Sequence, residues 1–138
     1  MSSSQSTIDN YKVLLKHEQC LGKGSYGYVT LVRHKESQKS FAMKVVKKAF
    51  LIRNSPEGVS LLRKEIAINQ KLTHKNVIRI HDCFEDTKQF YLVMEHAEGG
   101  SLQKKLTGKL TEKDSFKYFE QILTGLKYLH SNKYFSYQ

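Results

Sequence analysis

The chain has 138 residues, a net charge of +10, 39% hydrophobic and 26% charged residues, the make-up of one globular domain or of a piece of a larger one. Its longest apolar run is Phe90 to Met94, far short of the ~20 residues of a membrane span. Met1-Ser2-Ser3-Ser4 offers neither the basic start and apolar stretch of a secretory signal nor the second-position Gly of myristoylation, so a cytoplasmic protein is expected, with the nucleus open.

The positive charge is spread rather than gathered. Residues 99–138 carry seven Lys against three acids, and no Arg-rich block or basic run with interleaved aromatics stands out. Nucleic acid is therefore disfavoured as a partner, and a solvated basic surface is the simpler reading. Two cysteines, Cys20 and Cys83, are too few and too far apart for a disulfide framework or a zinc site, and read as buried thiols in strand-like surroundings.

In chain order, residues 1–10 are a polar, Ser-rich stretch expected to be a disordered tail. From Tyr11 to about Val46 the pattern is strand-like. Tyr28-Val29-Thr30-Leu31-Val32 and Phe41-Ala42-Met43-Lys44-Val45-Val46 are dense in β-formers, and the first two strands flank Gly22 to Gly27, predicting three antiparallel strands joined by hairpins. A helix is predicted to start near Ser55-Pro56-Glu57, where Ser can cap and Pro suits the first turn. Its apolar stripe runs through Leu61, Ile68 and Leu72, with Leu62 and Ile66 beside it. Two more strands fit Val77 to Phe84 and Gln89 to Glu95, around the polar turn Glu85-Asp86-Thr87-Lys88. Gly99-Gly100 breaks the chain before a short helix from Leu102 to Leu106. Thr111 with Asp114 resembles a capping box, and Phe116, Phe119, Ile122, Leu123, Leu126 and Leu129 trace one broad apolar helix face.

The most informative segment is Leu21-Gly22-Lys23-Gly24-Ser25-Tyr26-Gly27-Tyr28-Val29. Glycines let backbone N–H groups approach a phosphate closely, yet G-x-G-x-x-G alone is a weak signal shared by unrelated nucleotide sites. In a dinucleotide-binding unit the last Gly opens a helix and an acid follows about twenty residues later. Here a strand follows, and Lys44 stands where the acid belongs. A Gly-rich hairpin without a ligand is the alternative. Glu65, at the spacing Leu61, Glu65, Ile68, Leu72, places a carboxylate on the helix face expected to be buried, where a charge needs a partner.

With Gly22 to Gly27 followed by Phe41-Ala42-Met43-Lys44 and by Glu65, the chain resembles the eukaryotic protein kinases over roughly residues 11–133. The resemblance implies an α+β fold: a kinase-like N-lobe, a five-stranded antiparallel sheet plus one helix, over about 11–97, then two helices of an incomplete helical C-lobe over about 98–138. It implies that Lys44 holds the α- and β-phosphates of ATP and that Glu65 positions it through an ion pair. It implies a nucleotide site from Leu21, Gly22, Lys23, Gly24, Ser25, Tyr26, Gly27, Val29, Ala42 and Lys44. Met94 would be the gatekeeper, with hinge contacts at Glu95 and Ala97, Ser101 near the ribose, and Ile78 as a further apolar wall. Leu72-Thr73-His74-Lys75-Asn76-Val77-Ile78 resembles the family's helix-to-strand link, with Lys75 where Pro is usual and His74 as a structural hydrogen-bonder. Asn69 stands where the family usually has an apolar residue.

The resemblance stops at Tyr128-Leu129-His130-Ser131-Asn132-Lys133. His-Arg-Asp would fall at positions 136, 137 and 138, where the chain has Ser136, Tyr137 and Gln138. The catalytic base and the Asp metal ligands have no position here. ATP is the expected ligand, with Mg2+ implied for the family but without its protein ligands, so no metal residue is assigned. Partners would be ATP and a protein substrate or regulator; a non-catalytic kinase-like interaction module is the alternative to the ATP-binding part of a Ser/Thr-type kinase. The apolar face of the last helix predicts poor stability, self-association or a partner.

Overall fold

A computed structural model of the chain describes residues 6–105, 108 and 110–132. These form two compact units, one of residues 6–71 and 79–96, the other of residues 72–78, 97–105, 108 and 110–132.

The first unit is an antiparallel sheet with helices. Its strands are Tyr11–Val13 (β1), Gly22–Gly24 (β2), Gly27–His34 (β3), Ser40–Lys47 (β4), Ile80–Glu85 (β5) and Gln89–Met94 (β6). Their order across the sheet is β1-β3-β4-β6-β5, with β2 also on β3. Both β1 and β2 pair with β3, Tyr11 opposite His34 and Gly22 opposite Val29. They are successive pieces of one edge lane, separated by a 3-10 turn at His17–Gln19. The sheet thus has the five lanes expected, with the first lane divided. It occupies the sequence predicted to be β-rich because β-branched and aromatic residues pack on both of its faces.

One face buries Tyr11, Val32, Met43, Val45, Phe84, Tyr91 and Val93 together. The other gathers Val46, Ile66, Ile80, Phe90 and Leu92, with Leu51, Val59, Leu62 and Met94 packed against them. Buried Thr30 is satisfied by donating to the Leu15 carbonyl at 2.7 Å, as a polar group taken out of water requires.

Two helices complete this unit, Lys48–Asn54 (α1) and Gly58–Asn69 (α2). With Ser55 as the expected cap and Pro56 in the first turn, the start of α2 moves on by two residues, to Gly58, whose N–H donates to the Ser55 carbonyl at 3.0 Å. The predicted stripe is corrected in part: Leu72 is buried as expected, and Leu61 is not. Ile66 is 6% exposed and Leu61 52%, so α2 turns Val59, Leu62 and Ile66 to the sheet and leaves Leu61 and Glu65 in solvent. Helix α1 has no counterpart in the sequence reading. No side chain caps it; tertiary contacts hold it. Lys48 pairs with Glu85 and lies 4.9 Å from the centre of the Phe90 ring, while Leu51 joins the second core. An added Cβ on Gly58 would lie 2.6 Å from the Leu51 carbonyl oxygen, so the close approach of α2 to α1 requires glycine there.

Residues expected to be tail also differ. Ile8–Asn10 form a 3-10 turn closed by Asn10 accepting from the Thr7 N–H at 2.8 Å, and Ile8 packs on the first core. Cys20 and Cys83 are both free and half-buried rather than buried, and Cys20 lies in a loop.

The second unit holds Leu102–Lys105 (α3) and Glu112–Ser131 (α4). The predicted cap is present: Thr111 accepts from the Asp114 N–H at 3.1 Å and donates its hydroxyl to the Asp114 carboxylate at 2.7 Å. The linker of residues 72–78 packs on α4. The Thr73 N–H donates to the Tyr128 hydroxyl at 3.0 Å, His74 stacks on Tyr128 with ring centres 4.8 Å apart, and His74 Nδ1 accepts from the Asn76 N–H at 3.1 Å. His74 is thus the structural hydrogen-bonder expected. The apolar face of α4 is open, with Phe116 68% and Phe119 58% exposed. Expectations for Leu106 and for positions 133–138 lie outside the described residues.

Candidate functional site

The candidate site is a row across the sheet. Strand register sets Gly22 opposite Val29, Val29 opposite Lys44 and Lys44 opposite Leu92. A second row sets Leu31 opposite Ala42, Ala42 opposite Met94 and Met94 opposite Ile80. Side chains two apart along a strand share a face, so Val29, Ala42, Lys44, Leu92 and Met94 point the same way. Adjacent strands lie ~4.8 Å apart, which places the Gly22 backbone about 10 Å from that of Lys44. Strand β4 is the middle lane, and Lys44 is its exposed position between buried Ala42 and Val46. A cation thus stands among the apolar side chains of Val29, Ala42, Leu92 and Met94 on that face.

The glycine hairpin is tight. Gly24 lies opposite Gly27, and Ser25 and Tyr26 form the turn between them. Its three glycines do different work. An added Cβ at Gly27 would fall 1.8 Å from the Val45 carbonyl oxygen, so this position is required by the sheet. Gly22 and Gly24 have nothing within 4 Å of an added Cβ; they leave open space. Leu21 and Lys23 are exposed, with Lys23 opposite Tyr28. The Tyr26 carbonyl accepts from the Lys47 N–H at 3.1 Å, and its ring meets Phe50 of α1 edge-on, centres 5.1 Å apart. Phe50 was not among the residues read from the sequence.

Glu65 requires correction. It does not lie on the buried face, and no ion pair joins it to Lys44. Among the described residues the ion pairs are Lys48–Glu85 and Arg63–Glu85. The physical reason is the rotation of α2, which turns Ile66 inward and Glu65 to water, where a carboxylate needs no partner. Asn69, one turn on, donates to the Glu65 carbonyl at 3.0 Å, satisfying its amide within the helix end.

Of the remaining predicted residues, Met94 ends β6 half-buried, and the Glu95 N–H donates to the Arg79 carbonyl at 3.0 Å, extending the β5–β6 pairing by one residue. Ala97, Ser101 and Ile78 belong to the second unit. The Ala97 carbonyl accepts from the Gly100 N–H at 3.2 Å, in a turn where Gly100 takes φ +71, a left-handed conformation that favours glycine. The Ser101 hydroxyl oxygen accepts from the Lys104 N–H at 3.4 Å at the start of α3.

The strongest electrostatics lie away from this row. Arg63 donates two parallel bonds to Glu85, at 2.9 Å each, and these with Lys48 hold the Glu85 carboxyl down at about 2. This cluster ties α1 and α2 to β5. Burial, with Asp82 and Glu85 nearby, pushes the Cys83 thiol up to about 11, so it is a poor nucleophile. No group of three or more His, Cys, Asp or Glu side chains that would hold a metal lies among the described residues. None of the described helices is long and apolar enough to cross a membrane.

A sequence model of the protein kinase domain matches residues 15–137. The chain belongs to the protein kinase family. Among curated proteins, this kinase chain is 37% identical over 114 residues to CBL-interacting protein kinase 15 of Oryza sativa subsp. japonica, covering 80% of the chain and 26% of the relative. It is 36% identical over 136 residues to Aurora kinase B-A of Xenopus laevis, covering 96% and 36%, and 37% identical over 130 residues to Aurora kinase B of Xenopus tropicalis, covering 92% and 34%. The chain thus spans between a quarter and just over a third of the relatives it matches, and is related to Ser/Thr kinases. The antiparallel sheet with its helices is consistent with a kinase N-lobe.

Proposed function

We propose that this chain is the ATP-binding part of a Ser/Thr-type protein kinase domain. The observation that carries the reading is the register row that sets the glycine hairpin and Lys44 on one sheet face. The residues fit a polyphosphate. Gly22 and Gly24 leave room that any Cβ would fill, and Lys44 is an exposed cation without an ion-pair partner among the described residues. The turn's N–H groups and the Lys44 ammonium would hold the phosphates, and Val29, Ala42 and Met94 would offer apolar surface to the base. Glu95, Ala97 and Ser101 keep the hinge and ribose roles that the kinase resemblance implies. When bound, ATP supplies the phosphoryl group that the family transfers to protein Ser or Thr.

The test is thermal melting with and without ATP, on the wild type and on Lys44→Ala. Hydrogen bonds to charged groups contribute ~1.5–3 kcal/mol, so the substitution weakens ATP binding by about 10- to 100-fold. ATP raises the wild-type Tm and leaves that of K44A nearly unchanged; a wild type indifferent to saturating ATP contradicts the reading.

A second reading, a kinase-like interaction module with nucleotide optional, is favoured by the absence of a Lys44–Glu65 pair and by the open apolar face of α4. It expects no ATP-dependent change in Tm from either protein.

A further inference from the structure

The glycine hairpin is weakly built. Strand β2 has three residues, all exposed, and pairs only with β3, and so short an edge opens easily. What holds its tip is Tyr26, whose carbonyl and ring both engage the corner where β4 turns into α1: the Lys47 N–H at 3.1 Å and the Phe50 ring at 5.1 Å with planes at 77°. That corner is firm. Leu51 packs into the second core, Gly58 of α2 abuts the Leu51 carbonyl, and Lys48 is bound to Glu85 and to the Asp86 carbonyl. Phe50 itself belongs to neither core cluster and is half-buried. Its aromatic partner is the turn.

We propose that Phe50 is a positioning residue, which with Tyr26 forms an aromatic clasp that pre-orders the glycine turn for phosphate. The proposal rests on the ATP reading for its consequence, though not for its structure. With the clasp closed, the N–H groups around Gly24 and Ser25 are fixed relative to Lys44 before ligand arrives, so less ordering is needed on binding. With the ring gone, the hairpin must be ordered by the ligand. The cost falls on phosphate contacts alone, because the apolar sheet face that would meet the base is untouched. The edge-to-face geometry is the arrangement aromatic pairs favour, and its usual strength corresponds to a factor of about ten at most. That is enough to hold a three-residue strand and weak enough to release it.

The experiment uses the whole chain as wild type, Phe50→Leu and Phe50→Tyr. Amide hydrogen exchange over residues 23–27 without nucleotide is expected to be about tenfold faster in F50L, with β4 and α2 unchanged, and to return to the wild-type rate in F50Y, which restores the ring. ATP affinity is expected to fall about tenfold in F50L while adenosine affinity stays constant. Equal exchange in F50L and wild type overturns the clasp. So does acceleration spread over β4 and α2, which would mark a plain structural role, or an equal loss of ATP and adenosine. If exchange changes as expected while no variant binds either ligand, the clasp stands and the ATP reading falls.

Discussion

Replacing Gly27 by Ala separates the two kinds of glycine in the hairpin. The added Cβ would stand 1.8 Å from the Val45 carbonyl oxygen, 2.9 Å from its carbon and 3.3 Å from the Val46 Cα. All three are backbone atoms of the middle lane of the sheet, so no side chain can swing away, and β3 must move off β4. Forcing extra atoms into a packed site costs ~1–3 kcal/mol or more, and a backbone collision this close belongs at the upper end, about 3 kcal/mol. That corresponds to a loss of roughly 10 °C in Tm for a chain of this size. The same change at Gly24 meets nothing within 4 Å, and shrinking the freedom of the unfolded chain offers up to ~1 kcal/mol in its favour. Gly24→Ala is therefore expected to melt at or slightly above the wild type while weakening ATP, because it fills the space left for phosphate. Urea unfolding and ATP titration of both variants give the answer. A G27A protein within 0.5 kcal/mol of wild type refutes the geometry on which that about 3 kcal/mol rests.

Two further outcomes follow from packing and charge. Ile66→Ala should lower stability by about 2–5 kcal/mol, as for a buried side chain cut back, while Leu61→Ala, half in water, should cost under about 0.5 kcal/mol; the reverse order would restore the helix face expected from sequence. The Glu85 carboxyl is held at about 2 against an ordinary 4.5, first by Arg63 and then by Lys48. A depressed folded value contributes stability that is complete above the ordinary value and disappears as pH falls through the folded one. The wild type should therefore lose more stability than Glu85→Gln between pH 4.5 and about 2, and parallel acid curves would contradict this.

The strands and α4 were legible because their signals are local. Tyr28 to Val32 and Phe41 to Val46 are runs of β-formers, and Thr111 with Asp114 announces the start of α4 beside a helical apolar period. Pairing then follows from adjacent hairpins, so the row from Gly22 to Lys44 was within reach. Helix α1 was not, because Lys48 and Leu51 owe their places to Glu85, Phe90 and α2, all distant in sequence. Nor was the facing of α2. Two apolar stripes, Leu61 with Ile68 and Leu62 with Ile66, lie one residue apart, and periodicity alone does not choose between them. That choice moved Glu65 into solvent. The Tyr26–Phe50 contact joins a hairpin tip to a helix the sequence did not announce, so it was invisible for the same reason.

The proposed ATP recognition depends on the glycine hairpin and Lys44 acting on the same phosphates. Titrating the 15N-labelled chain with ATP and separately with adenosine, and following backbone amide shifts, tests this directly. ATP should move the Gly22, Gly24, Ser25 and Lys44 resonances together along one saturating curve, and adenosine should leave the Gly24 and Ser25 amides in place. Shifts confined to α4, or hairpin and Lys44 signals that respond with different midpoints, would contradict it.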